Sequence, residues 1–337
     1  MKKITGMIAL VATLCTGVDA VSAETMVFTA WGGTTQDAQK EYWADTFTEK
    51  TGVKVLQDGP TDYGKIKAMI ESGKVSWDVV DTEGEYAVQA GQQGLLEKLD
   101  FSVIDKKNLD PRFVTDYAVG SFYFSWVIGC NEQAAGKCPE SWTEFFDTKA
   151  FPGQRTLYKW AAPGVLEAAL LADGVDPDGL YPLDLDRAFA KLDTIKNDIV
   201  WWTTGAQSQQ LLASGEAPYG SFWNGRLTAL QQTGVPVKII WNQNFTSADL
   251  LVVPKGAAHK EIAMQFIANA TSPKAQADFA AKTGYAPINL ESPDLMDPDI
   301  RATLPDLRQE TQVNADLNYW AGHREEISKR WYEWQVK

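Results

Sequence analysis

Short apolar runs alternate with segments of helical periodicity through the first third of the chain. The apolar runs predict strands, and the periodic segments between them predict helices. The predicted strands cover 26–30, 53–56 and 77–81, and the predicted helices cover 36–50, 63–71 and 85–93. Regular alternation of strand and helix is typical of an α/β fold with largely parallel strands.

The alternation continues to the C-terminus. A longer apolar run at 122–130 predicts a strand that crosses between two parts of the protein. Ser141 and Glu144 form a capping box that opens a helix, and Ser272 and Gly284 mark the ends of another. The other strands are predicted at 155–159, 218–222, 237–241 and 249–253, and the other helices at 164–173, 185–197, 206–214, 226–232, 261–269, 273–283 and 324–334.

The first residues predict export. A basic pair at 2–3, an apolar run at 4–15 and small residues at 21–23 have the order of a cleaved secretory signal. A membrane anchor is the alternative, but the run is shorter than the ~20 residues that span a bilayer. A lipid anchor on Cys15 is disfavoured because the preceding leucine is large. We therefore expect a soluble periplasmic chain that begins near Glu24.

Charge and length narrow the class of protein. The chain has 337 residues, enough for two domains, and a formal net charge of −13. An acidic surface argues against nucleic-acid partners, which require basic patches. It is compatible with attraction of cationic ligands, although many soluble proteins are acidic. We expect a monomer that uses no cofactor.

Two cysteines remain after the predicted cleavage, Cys130 and Cys138. A single pair in an exported protein predicts a disulfide, and the polar segment between them contains Gly136, which allows a turn. The alternative is a metal or redox pair. No histidine lies nearby, so the pair is a poor metal site, and we expect no bound metal.

Many candidate ligand-binding residues follow predicted strands, because ligands of open α/β sheets bind at the carboxyl ends of strands. Phe124 instead lies on the crossing strand, Asp249 begins a strand, and Tyr285 follows the Gly284 cap. Most of the candidates are aromatic, with a few charged groups among them. Any single tryptophan in a chain that has 13 is more often part of the core, and the sequence does not tell which of these face a cleft. The candidates are Trp31, Glu83, Glu85, Phe124, Trp160, Trp202, Trp223, Asn224, Arg226, Asp249 and Tyr285.

Two of these candidates carry opposite charges that suit the two ends of a zwitterion. The planar fork of Arg226 matches a ligand carboxylate at two points. Asp249 can accept a charge-assisted hydrogen bond from an ammonium group, and aromatic faces attract the same group by cation–π contact. The alternative for Arg226 is a surface or inter-helix ion pair, which is the commoner role of an arginine that opens a helix.

The motifs of common enzyme classes are missing from the sequence. It contains no G-x-S-x-G elbow, no H-E-x-x-H motif and no glycine-rich phosphate loop. Glu83 and Glu85 could in principle serve as paired acid–base carboxylates, but exposed acidic pairs are far commoner than catalytic ones. We therefore expect a binding protein and not an enzyme.

Several motifs along the chain carry a resemblance to a known family. They are Thr29-Ala30-Trp31-Gly32-Gly33, Trp77-Asp78-Val79-Val80, Tyr219-Gly220-Ser221-Phe222-Trp223-Asn224-Gly225, the segment from Asp249 to Ala257, Ser272-Pro273-Lys274-Ala275-Gln276 and Gly284-Tyr285-Ala286-Pro287-Ile288-Asn289. Together they resemble the periplasmic binding proteins of ABC importers, in particular the spermidine/putrescine-type receptors. The resemblance covers essentially the whole chain after the secretory signal.

The resemblance implies a type II fold of two α/β lobes joined by crossing hinge strands. Residues 24–127 and 249–291 would then form the first lobe, and 128–248 and 292–337 the second. The lobes would close on a small ligand, and the closed protein would dock on an ABC permease in the inner membrane.

The resemblance also implies roles for site residues. Trp31, Asp249 and Tyr285 match the aromatic, acidic and tyrosine ligand contacts of polyamine receptors, whereas Glu83 and Glu85 depart from that pattern. Arg226 departs further, because a guanidinium repels polycations. Its combination with Asp249 looks like the γ-aminobutyrate (GABA) receptors, in which Phe124 would be an aromatic wall.

We therefore predict a receptor for GABA or a related ω-amino acid. The first alternative is a putrescine or spermidine receptor in which Arg226 is structural. A sugar receptor with stacked tryptophans is a second alternative. A ferric-ion receptor is a third, but such receptors use adjacent tyrosines and the chain has no Tyr-Tyr pair.

Overall fold

The computed structural model describes residues 24–305 and 311–337. The predicted secretory signal, 1–23, lies outside the described residues. The strands are β1 Thr25–Thr29, β2 Lys54–Asp58, β3 Val79–Glu83, β4 Ala118–Asn131, β5 Arg155–Tyr158, β6 Ile199–Trp202, β7 Tyr219–Trp223, β8 Val237–Val252 and β9 Val313–Asn314.

The α-helices fill the intervals between strands and cover both faces of the sheet, as the alternating pattern predicts. They are α1 Gly33–Gln39, α2 Thr46–Thr51, α3 Tyr63–Ser72, α4 Gly84–Gln92, α5 Glu132–Ala135, α6 Trp142–Phe145, α7 Val165–Ala172, α8 Leu185–Asp193, α9 Gly205–Ala213, α10 Asn224–Gln232, α11 Lys260–Ala270, α12 Pro273–Thr283, α13 Pro298–Arg301 and α14 Leu317–Gln335. None of the helices in the described ranges is both long and apolar enough to cross a bilayer.

One sheet runs through the whole molecule, with the strand order β2-β1-β3-β8-β4-β7-β5-β6 and β9 beside β8. At one end β1 pairs in parallel with β2 and β3, and at the other end β5 pairs in parallel with β6 and β7. The two central strands, β4 and β8, are antiparallel to each other and to their outer neighbours β7 and β3. Each parallel group forms the sheet of one lobe.

The central strands β4 and β8 belong to both lobes. Residues 118–126 of β4 pair with 245–252 of β8, which in turn contacts β3 of the first lobe. Residues 128–131 of β4 pair with 237–240 of β8 and also with β7 of the second lobe. A register shift after Trp126 separates the two halves. The predicted fold of two α/β lobes joined by crossing strands is therefore confirmed.

Strand β8 was predicted as two separate strands, 237–241 and 249–253, and this prediction was wrong. The residues between them, 242–248, are mostly polar and suggest a turn, and Gln243 does adopt a positive φ of 52°. Strand β8 nevertheless runs through these residues as one strand, and both of its parts, 237–240 and 245–252, pair with β4. Strand β6 was not predicted, because its short apolar run follows a predicted helix directly.

The capping box predicted at Ser141 is only half formed. Ser141 Oγ accepts a hydrogen bond from the Glu144 backbone N–H at 3.2 Å, which is the N-cap interaction. The Glu144 carboxylate, however, accepts from the N–H of Glu140 at 2.8 Å and not from Ser141. Ser141 therefore satisfies one free N–H group of helix α6, and Glu144 holds the backbone of Glu140, the residue before the cap. The predicted disulfide between Cys130 and Cys138 is present.

The assignment of 292–337 to the second lobe remains a prediction, and the contacts of this segment are divided between the lobes. Ser292 Oγ donates a hydrogen bond to the carbonyl of Pro273 in α12, which packs on the first lobe. Helix α14 instead lies across both lobes. It contacts α4 of the first lobe, and its Trp331 donates to the carbonyl of Lys159 in the second.

Candidate ligand-binding site

A cavity of about 470 Å³ lies between the two lobes at the ends of their strands. Its size falls within the range of small-molecule sites, and its wall is largely aromatic with a few charged groups. First-lobe residues, second-lobe residues and helix α14 all contribute. The wall is formed by Trp31, Thr35, Pro60, Thr61, Tyr63, Glu83, Phe122, Phe124, Tyr158, Trp160, Ala161, Thr203, Thr204, Gly205, Trp223, Arg226, Asp249, Tyr285, Arg324, Ser328 and Tyr332.

Arg226 brings a buried guanidinium to the second-lobe side of this cavity. It lies in the first turn of α10, directly after β7, and only 9% of the residue is exposed. Its side chain runs over the N-terminus of α9, where a Cβ on Gly205 would lie 2.2 Å from Arg226 Nε. Glycine at position 205 is therefore what makes room for the arginine.

The Arg226 guanidinium has few partners in the protein. Nη1 donates a long hydrogen bond of 3.5 Å to Thr34 Oγ1 of the first lobe, and Nε has no partner. Within the described residues no carboxylate lies within ion-pair distance of it. A buried guanidinium without a counter-ion is costly, so this group calls for an anion in the cavity.

The opposite charge comes from two carboxylates at the end of the first-lobe sheet. Glu83 and Asp249 are register partners on the antiparallel strands β3 and β8. Residues directly opposite each other in such a pair project to the same face of the sheet, so both carboxylates reach the cavity wall. They form an acidic end of the site.

The pKa of Asp249 is raised well above its ordinary value. Burial is the main cause, and the negative charges of Asp81, Glu83 and Glu85 add to it, while the indole N–H of Trp31 partly offsets the shift. These surroundings favour the protonated form of the carboxyl, and a cation beside it favours the ionised form. An ammonium group would supply that cation.

Behind the wall, two more buried carboxyl groups extend the acidic end. Burial raises the pKa of Asp81 to about 7, although a 2.6 Å hydrogen bond from Gln39 opposes the shift. Burial and the charge of Glu83 raise the pKa of Glu85 to about 7. Arg324 pairs with Glu85 at 2.7 Å and with Glu83 at 3.3 Å, and so holds part of this charge.

Aromatic rings line the walls between the charged groups. Phe122 and Phe124 project from the same face of β4, since residues two apart on a strand point the same way. Tyr285 stacks on Phe122 with a centroid distance of 4.8 Å and meets Phe124 edge-on at 6.3 Å. Trp31 contacts Tyr63 edge-on at 6.1 Å. These packed rings present apolar faces to a ligand and fix each other's orientation.

Eight of the eleven ligand-binding candidates lie in the cavity wall, and Glu85, Trp202 and Asn224 do not. The eight are Trp31, Glu83, Phe124, Trp160, Trp223, Arg226, Asp249 and Tyr285, with Trp160 at the rim with 43% exposure. Whether each of them contacts a ligand remains a prediction.

Trp202 does not reach the cavity, contrary to the prediction. It is fully buried, its indole N–H donates to the carbonyl of Ser221, and its ring packs edge-on against Trp223 at 4.8 Å. Trp202 is the last residue of β6, and its side chain points into the lobe. It therefore packs behind the wall residue Trp223 and supports it.

Thirteen of the 21 wall residues were not predicted, and three of them show where the prediction stopped. Tyr158 ends β5 and packs against Trp223 at 5.3 Å, so the rule that sites follow strands could have found it. Thr204 caps the N-terminus of α9, where its side chain accepts from the Gln207 N–H. Arg324 comes from the C-terminal helix, and its local sequence gives no indication that it faces the cleft.

This arrangement suits binding between closing lobes, and it defines a two-lobed solute-binding transport protein of the type II periplasmic binding class. The sequence model of the bacterial extracellular solute-binding proteins matches residues 42–305. The chain therefore belongs to the bacterial extracellular solute-binding proteins, a secreted family.

Individual relatives are similar over nearly the whole chain. A solved structure of a GABA receptor is 68% identical, with a TM-score of 0.89 over 93% of this chain and 98% of its own. An ABC transporter substrate-binding protein from Bradyrhizobium japonicum is 38% identical, with a TM-score of 0.87 over 92% of this chain and 99% of its own. The gamma-aminobutyric acid-binding protein of Pseudomonas aeruginosa is 33% identical over 94% of this chain and 92% of its own.

Proposed function

We propose that the protein binds GABA or a related ω-amino acid between its lobes and delivers it, chemically unchanged, to an ABC permease. The observation that carries this proposal is the Arg226 guanidinium, which is buried in the cavity wall with no carboxylate partner among the described residues. The same wall contains the Asp249 and Glu83 carboxylates. A ligand with one carboxylate and one ammonium compensates both ends.

The energetics favour a ligand carboxylate over water at Arg226. A guanidinium removed from bulk water loses solvation that a neutral partner restores only in part. A carboxylate forms two parallel charge-assisted hydrogen bonds with it, and these are about twice as strong as neutral ones. The N-terminus of α9, which lies beneath the arginine, adds favourable interaction with negative charge.

Relatives support the same ligand. The 68% identical structure is named as a GABA receptor, and the curated relative from Pseudomonas aeruginosa is named for gamma-aminobutyric acid. On the basis of the family, we propose that the protein is exported to the periplasm, acts as a monomer and docks on an inner-membrane permease.

A polyamine is the second candidate ligand, because Asp249, Glu83 and Glu85 together could attract more than one ammonium group. Arg226 disfavours this candidate. A second ammonium directed toward an unpaired buried guanidinium meets a like charge, and such a juxtaposition costs several kcal/mol.

Titration calorimetry with GABA and putrescine separates these candidates. We expect wild-type protein to bind GABA and to bind putrescine weakly or not at all. Arg226→Met should weaken GABA binding about 100-fold or more, as is typical when one partner of a buried charge pair is removed.

Arg187→Met is the matched control. Arg187 lies on α8 and pairs with Asp173 at 2.6 Å, with 43% of its side chain exposed, so its loss should leave the affinity unchanged. Full GABA affinity in a folded Arg226→Met variant would remove the assignment of an ω-amino acid ligand.

A further inference from the structure

Arg324 is a second guanidinium in the cavity wall, and unlike Arg226 it is paired. Its Nη1 donates to Glu85 Oε1 at 2.7 Å and its Nη2 to Glu83 Oε2 at 3.3 Å. Its guanidinium carbon also lies 5.4 Å from the ring centroid of Tyr63. The Arg324 guanidinium thus lies between two carboxylates and an aromatic face. Groups of these two kinds bind ammonium ions.

The position of Arg324 is fixed by its helix. Helix α14 is held on the second-lobe side by Trp320, whose indole N–H donates to Glu167 Oε1 at 2.7 Å, and by Trp331, which donates to the Lys159 carbonyl at 2.8 Å. The two glutamates that Arg324 contacts belong to the first lobe. The guanidinium therefore reaches the acidic end of the cavity from a separate, anchored element.

Without this cation the acidic end would hold several uncompensated carboxylates. Glu83 faces Asp249 across the strand pair, and like charges directly opposite each other destabilise a sheet. Glu85 is buried directly beside Glu83, and Arg324 opposes the rise in its pKa. Once Arg324 has paired with the two glutamates, Asp249 is left as the wall carboxylate without a cation partner in the described part of the chain.

We propose that Arg324 determines how many positive charges a ligand can carry, because its guanidinium takes the position beside Glu83 and Glu85 that the second ammonium of a diamine would occupy. The inference rests on the proposed function, since it concerns the ammonium end of the same cavity. Arg324 then selects for a single ammonium at Asp249, while Arg226 selects for a carboxylate.

The test compares the affinity ratio of GABA to putrescine in wild-type protein and in charge-removing variants, by titration calorimetry. Arg324→Met should lower the ratio about tenfold or more in favour of putrescine, a factor that corresponds to ~1.4 kcal/mol. Arg324→Lys keeps the charge and should keep putrescine weak. Adding Glu83→Gln to Arg324→Met should cancel the gain, because it removes a carboxylate that the second ammonium needs.

Arg324→Met leaves Glu85 buried without a cation, which destabilises the fold. The double variant Arg324→Met/Glu85→Gln removes that buried charge. Thermal unfolding shows whether each variant is folded. Arg330→Met is the control on the same helix, because Arg330 pairs with Asp186 outside the cavity. The double variant keeps Glu83, the glutamate that lines the cavity, so it should still shift the ratio toward putrescine. An unchanged ratio in folded Arg324→Met, or in the folded double variant if the single variant does not fold, overturns the role of Arg324. Absence of GABA binding in wild-type protein would instead reject the proposed function.

Discussion

Gly205 lies so close to Arg226 that a Cβ at position 205 would be 2.2 Å from the Arg226 Nε atom. The two residues come from different segments of the second lobe, the start of α9 and the first turn of α10. The absence of a side chain at 205 therefore determines where the guanidinium lies. This relationship offers a way to move the charge without removing it.

Gly205→Ala should weaken GABA binding by about 10- to 100-fold, because the added methyl group displaces the guanidinium from the cavity wall and costs a charged hydrogen bond. The fold should persist, since alanine is a better helix former than glycine. Calorimetry measures the affinity, and circular dichroism checks the fold.

Gly322→Ala is the control for this variant, because a Cβ at Gly322 of α14 meets nothing within 4 Å. It should leave the affinity unchanged. Equal affinities in wild type and Gly205→Ala would mean that the guanidinium does not need its position over α9 to hold the ligand.

Ligand binding should release protons. Burial and neighbouring carboxylates raise the pKa of Asp249 well above its ordinary value, so without a cation beside it the carboxyl keeps its proton to a higher pH than an ordinary aspartate does. An ammonium group favours the ionised form and lowers that pKa, and the proton leaves as the ligand binds. Affinity should therefore increase as the pH rises from the ordinary aspartate range toward the raised pKa of Asp249.

Calorimetry in buffers with different ionisation enthalpies measures this release, which should reach up to about one proton per ligand. Glu85, whose pKa is raised to about 7, could contribute as well. Glu85→Gln removes the share of Glu85, and the release that remains belongs to Asp249 and to Asp81 behind it, whose pKa is also raised to about 7. Binding enthalpies that are the same in every buffer would contradict the prediction.

Sequence reasoning placed eight of the 21 residues of the cavity wall. Trp31 and Arg226 lie just after the ends of β1 and β7, so the rule that ligands bind where strands end was enough to find them, whereas Asp249 lies within β8. Trp202, in a strand that was not predicted, shows a limit of sequence reasoning. Adjacent strand residues point to opposite faces, and sequence alone does not give the face that meets the cleft.

Contacts between residues that are far apart in the chain could not be predicted from local sequence patterns. Arg324 and Glu83 are separated by 241 positions, and only the packing of α14 across both lobes brings them together. Strand β8 shows the same limit, because its polar middle predicts a turn until pairing with β4 is known. In both cases the contact between distant segments determines the structure, and the local composition does not reveal it.

Asn224 connects three segments around the site and should be important for stability. Its Oδ1 accepts a hydrogen bond from the Ser125 N–H of β4 at 2.9 Å, and its Nδ2 donates to the Gly284 carbonyl at 2.6 Å. The residue is fully buried, so water does not replace these partners directly. Asn224→Ala leaves a buried donor and a buried acceptor unpaired, each costing about 1–3 kcal/mol.

The free energy of unfolding of Asn224→Ala, measured in urea, should therefore fall by about 2–6 kcal/mol. GABA binding should weaken too, because Asn224 precedes Arg226 in the first turn of α10 and bonds to the residue before Tyr285. Asn242→Ala, at an exposed position of β8, should change stability by less than about 0.5 kcal/mol. If both alanine variants were equally stable, the Asn224 bonds would have no role in joining α10 to the crossing strand.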